Sequence, residues 1–92
     1  MSFIRGIKRL FGVYDPFYEY WVDRKHIKVD PEWRKTKIGR DKWRRKFDFY
    51  LRTGVFESYI VVRRKDWMLV DGYSSLRIAE VMGIDKVPVH FI

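Results

Sequence analysis

The residues with the most chemical promise lie in the run Asp71-Gly72-Tyr73-Ser74-Ser75-Leu76-Arg77. A carboxylate, a glycine turn, three hydroxyls and a guanidinium placed this close together are groups that could surround an anion. The apolar stretch before Asp71 predicts a buried strand over residues 67–71. After it, Leu76, Ile78, Ala79, Val81 and Met82 fall at helical spacing, and Gly83 stands where a left-handed residue closes a helix. The expected unit is therefore a strand ending on Asp71, a turn at Gly72 and a helix capped by Ser74 or Ser75. The first N–H groups of such a helix have no intrahelical partner and its dipole favours negative charge. Phosphate suits this corner, with Asp71, Gly72, Tyr73, Ser74 and Ser75 around it and the Arg77 guanidinium adding a side-chain contact. The plainer alternative is structural: Gly72 makes the turn, the serines cap, and Arg77 is a solvated charge.

The second chemical feature is charge. Arg34, Lys35, Lys37, Arg40, Lys42, Arg44, Arg45 and Lys46 face a single acid, Asp41, within residues 33–46. Eight cations minus one acid give +7, nearly the whole formal net charge of +8. Such a concentration points to nucleic acid, an acidic protein partner or an anionic surface. From Asp41 the pattern is helical, with Trp43, Phe47, Tyr50 and Leu51 on one stripe and Gly54 as terminator. Lys42, Arg45, Lys46 and Arg52 are then expected to point mostly outward. With few acids to pair along the helix, phosphate or acidic-partner contact competes evenly with a merely solvated face.

Other chemistry finds little support. The two histidines, His26 and His90, lack carboxylates at ligand spacing, so no metal or other cofactor is predicted. The chain contains no cysteine, which excludes thiol catalysis, disulfides and cysteine-based metal sites. Phosphoryl transfer would have to draw on Asp71, Glu80 and Glu57, and no acid–base or metal constellation emerges from them.

The elements that must position these residues read as follows. Residues 2–12 have the pattern of a short basic amphipathic helix, expected to pack on its own domain or on a second copy, and Asp15-Pro16 looks like a second helix start. Phe17, Tyr18, Tyr20, Trp21 and Val22 are expected to cover one face of a sheet; base stacking beside Arg24 and Lys25 is the alternative. Residues 26–30 alternate like a strand, and 33–39 read as irregular. Residues 57–63 predict a strand buried on both faces, joined through a turn at 63–66 to the strand before Gly72. Residues 86–92 predict a last strand, in which Pro88 implies an edge position or a strand start.

In this order, with Lys-Val-Pro-Val at 86–89, residues 26–92 resemble the ParB/sulfiredoxin superfamily, and in particular the ParB-like N-terminal domain. Gly72, Arg77 and Ala79 stand at the Gly, last Arg and last Ala of that family's Gly-Glu-Arg-Arg-x-Arg-Ala-Ala-type motif. Tyr73, Ser74 and Ser75 replace its Glu-Arg-Arg. The resemblance implies a small mixed sheet with packed helices, and in nucleotide-binding members the motif contacts CTP phosphates; here two of its three arginines are missing. Sulfiredoxins place their catalytic cysteine where this chain has Tyr73, so their chemistry is not available to it. The family's site-recognition helix-turn-helix has no counterpart here, which makes sequence-specific DNA reading by this chain alone unexpected.

Length and composition set the frame. Ninety-two residues, 47% of them hydrophobic, suffice for one modest core. No apolar run approaches the roughly 20 residues that span a bilayer, and the N-terminus lacks a signal-peptide pattern, so a cytoplasmic protein is expected. The fold class expected is α+β, with residues 1–25 as an extension packed on a ParB-like domain over 26–92. The expected function is binding of phosphate-bearing ligands, nucleic acid or a nucleotide, without catalysis. The alternatives are a protein-binding or assembly factor that keeps the fold without the ligand site and, last, a phosphotransferase or nuclease.

Overall fold

A computed structural model describes residues 19–92. The amphipathic helix expected at 2–12 and the helix start at Asp15-Pro16 lie outside the described residues. Strand β1 (Tyr20–Asp23) is followed by a 3-10 turn (Arg24–His26), helix α1 (Pro31–Lys35), helix α2 (Arg40–Thr53), strands β2 (Ile60–Val62) and β3 (Leu69–Asp71), helix α3 (Tyr73–Met82) and strand β4 (Lys86–Phe91). The four strands form one mixed sheet in the order β1-β4-β2-β3. β4 runs antiparallel to β1, with Tyr20 opposite Val89, and parallel to β2, with Ile60 opposite Val89. β2 and β3 are antiparallel, with an irregular register between Val61 and Val62.

A parallel pair needs a crossover, and α3 supplies it between β3 and β4. Leu76 and Ala79 of α3 pack on Ile60, Val62, Leu69, Val87, Val89 and Phe91 to form the core. Leu76 is fully buried, which contributes on the order of 2 kcal/mol. Val81 and Met82, counted by periodicity on the apolar side, remain exposed because α3 meets the sheet along one line only.

Several expectations are corrected. Tyr20, Trp21 and Val22 do not cover a face of the sheet but form an edge strand of it, paired with β4. The pull comes from β4, whose backbone groups on that side need a partner. Residues 26–30 make only an isolated bridge, Lys28 with Met68, after the 3-10 turn capped by Asp23. Part of the region read as irregular is α1, where Asp30 caps and Pro31 takes the first helical position. β2 is buried on one face only; Tyr59 just before it is 68% exposed. β3 begins at Leu69 rather than at Trp67, which adopts φ +61° and closes the turn while its ring packs on Phe91.

Pro88 is the third residue of an interior strand, contrary to the edge position or strand start expected from its missing N–H. Pairing with β2 starts at Val89, so Pro88 faces only β1, opposite Trp21. At that one register position β4 is locally an edge. Among the described residues no helix is long and apolar enough to cross a membrane.

Candidate phosphate site at the Gly72 corner

Gly72 turns β3 into α3 with φ +85°, the left-handed region that glycine enters without cost. A Cβ here would stand 2.2 Å from the Tyr59 carbonyl oxygen and 2.8 Å from the Ile60 Cα. The corner is thus pressed against the start of β2. Gly72 itself is the N-cap of α3, displacing Ser74 and Ser75 from the capping role expected of them. Both serines lie within the helix and are buried, and the Ser75 hydroxyl donates to the Ser58 carbonyl at 2.7 Å. Without a side-chain cap, the N–H groups of the first turn are left directed out of the helix end.

Helix α2 faces this end. Lys46, expected to point outward, is its one buried residue, and its ammonium donates to the Ser58 hydroxyl. Burial pushes the Lys46 amine below the usual lysine range, and neighbouring Lys42 pushes in the same direction. The reason for the inward turn is geometric: α2 contributes no residue to the apolar core, so its inner side is free to carry a polar group. Lys37, Lys42, Lys46, Ser58, Asp71, Gly72, Tyr73 and Ser74 line a cavity of about 340 Å³ between α2 and the corner. The Asp71 carboxylate is already used, accepting from the Gly72 N–H at 2.8 Å. It lies at the cavity wall as a negative group and partly offsets the lysines.

Arg77 is placed differently. Its guanidinium donates to Glu80 at 2.7 Å and lines a neighbouring cavity with Arg34, Lys37 and Tyr73. Arg34 donates to both Glu80 oxygens at 2.8 Å, a fork geometry that holds the Glu80 carboxyl below its ordinary range, helped by Arg77. Arg34 also lies over the Tyr73 ring, which meets Trp33 edge to face.

The basic run is therefore divided rather than presented as one stripe. Arg34 is tied to Glu80, Lys35 to Glu32 and Arg45 to Glu57. These acids lie outside the run or at its far side in space, apart from Glu32 just before it, which is why the concentration looked unpaired in sequence. Lys37, Lys42 and Lys46 face the corner cavity, whereas Arg40 and Arg44 lie along the outer face of α2. The three acids considered for phosphoryl transfer are likewise separated in their contacts: Asp71 on Gly72, Glu80 on two arginines, Glu57 on Arg45. Among the described residues no group of three His, Asp or Glu side chains could hold a metal ion. Ser58, which joins Lys46 to α3, was missed; a lone serine in a loop carries no sequence signal.

The fold defined by this sheet and its crossover helix is that of a ParB N-terminal domain. A pNOB8-like ParB N-domain superposes with TM-score 0.65 at 19% identity, covering 79% of this chain and 28% of that one. A second structure of a pNOB8-like ParB N-domain gives 0.59 at 23% identity, over 79% of this chain and 26% of that one. The C-terminally truncated chromosome-partitioning protein ParB from Caulobacter crescentus, complexed with CTP-γ-S, gives 0.61 at 16% identity, over 80% and 43%. The chain spans less than half the length of each of these structures. No family model and no curated protein matches it.

Proposed function

We propose that the chain binds a phosphate-bearing ligand, a nucleotide or a nucleic-acid phosphate, in the cavity between α2 and the Gly72 corner. The observation that carries this reading is the buried Lys46 ammonium, brought with Lys37 and Lys42 to the uncapped N-terminus of α3. An ammonium partly withdrawn from water gains from a compensating negative group, and a single serine hydroxyl compensates it in part. A phosphate would supply the missing negative charge and accept from the helix N–H groups at the same time. The lysines take over the positive charge that Ser74 and Ser75 do not provide. The Caulobacter ParB of the same fold, in complex with CTP-γ-S, adds support for a nucleotide as the ligand.

Calorimetric titration with CTP, ATP and inorganic pyrophosphate tests the reading on the wild-type protein and on Lys46→Met. Saturable binding is expected, weakened about tenfold or more by loss of a charge-assisted contact. A wild-type protein that binds none of these, and no nucleic acid at low salt, would remove the proposal.

A further inference from the structure

The outer face of α2 is separate from the cavity just described. Arg40, Trp43, Arg44, Phe47, Asp48 and Leu51 line a groove of about 410 Å³ along it. Trp43, Phe47 and Leu51 belong neither to the core nor to the residues packed against it, and Leu51 is 60% exposed. The Trp43 and Phe47 rings are 5.5 Å apart and tilted by 51°, so they do not cover each other's faces by parallel stacking. Arg40 and Arg44 are exposed and have no carboxylate partner among the described residues. Asp48, the one acid in the groove, is engaged by Arg52 at 3.1 Å.

The pattern repeats: Arg40 precedes Trp43 by one turn, and Arg44 precedes Phe47 in the same way, about 6 Å further along the helix. Each repeat offers one cation and one aromatic ring. Each unpaired nucleotide offers one phosphate and one base face. A duplex hides its base faces within the stack, and a second copy of this chain would bring the Arg40 and Arg44 charges of two helices together. We propose that this face of α2 is a stacking platform for single-stranded nucleic acid, with Trp43 and Phe47 under the bases and Arg40 and Arg44 on the phosphates.

Fluorescence anisotropy of the full chain with a labelled oligothymidine, and with its duplex on oligoadenosine, tests this across a salt series. The single strand is expected to bind more tightly than the duplex. Phe47→Ala weakens it about tenfold, within the range of one lost stacking contact. Arg44→Ala weakens it and lowers the salt slope by about one. Lys65→Ala, which removes an equal charge on the β2–β3 turn, leaves binding as it was. Circular dichroism of each variant confirms that the fold is kept. Phe47→Ala binding as tightly as wild type overturns the assignment, as does duplex binding of equal strength and equal sensitivity to Phe47→Ala. It is also overturned by a dimer in sedimentation that Leu51→Glu dissolves, or by an acidic amphipathic peptide occupying the ridge while the oligonucleotide does not bind.

Discussion

Replacing Gly72 by alanine tests whether the corner is built as described. Two costs apply. The left-handed conformation at φ +85° penalises a residue with a Cβ by about 1–2 kcal/mol. The new Cβ would also lie 2.2 Å from the Tyr59 carbonyl oxygen and 2.8 Å from the Ile60 Cα. Those atoms are backbone at the entry to β2, and Ile60 is fully buried and paired with Val89, so relief requires moving a central strand. Such overpacking costs about 1–3 kcal/mol. The sum, about 2–5 kcal/mol, is a large share of the roughly 5–15 kcal/mol by which a domain is stable. At about 4–8 °C per kcal/mol for a chain of this size, the melting temperature should fall by about 20 °C. Gly54→Ala is the control, because Gly54 has φ +74° but a Cβ added there would meet nothing within 4 Å. It carries the first cost alone, and its melting temperature should fall by about 5–15 °C. Thermal melts followed by far-UV circular dichroism compare the two. Equal losses would refute the argument that the corner is pressed against β2.

Two further predictions concern charge. The Lys46 amine is depressed in the fold, so between its folded and ordinary values the unfolded chain binds more protons and stability rises with pH. Urea denaturation in the alkaline range should show this rise in wild type and lack it in Lys46→Met, which should also be more stable near neutral pH because no ammonium is buried. A flat wild-type profile would contradict the inward placement of Lys46. The Glu80 carboxyl is depressed by its bonds to Arg34 and then Arg77, so its contribution is complete above the ordinary carboxylate value and is lost as pH falls through the depressed one. Glu80→Gln should cost about 1 kcal/mol at neutral pH, since both arginines are about two-fifths exposed and partly screened by solvent. That difference should shrink in acid, and a pH-independent difference would show that the charge is not responsible.

The turn at the corner was legible in sequence because its signals are local. Asp71, Gly72 and Gly83 announce a strand end, a left-handed turn and a helix end through their own backbone preferences, and the order of elements around them was enough to suggest the fold. The cap was misassigned because a serine near a helix start looks the same whether its hydroxyl caps the helix or reaches across to Ser58. Of the stripe expected on α2, Trp43, Phe47 and Leu51 share a groove while Tyr50 stacks on Phe56, and the side of the shared part was misjudged. Periodicity shows which residues share a face but not which face meets the core.

The amino-acid sequence by itself determined the local turns, the α+β class, the concentration of positive charge and the lack of cysteine chemistry. Each depends on residue type and near neighbours alone. Tertiary structure decided how that charge is used. Arg34 finds Glu80 across 46 positions, Tyr20–Asp23 becomes a strand only because β4 lies beside it, and Lys46 turns inward because Ser58 and the end of α3 meet it there. Contacts between distant residues follow from the packing of whole elements, which no short stretch of sequence specifies.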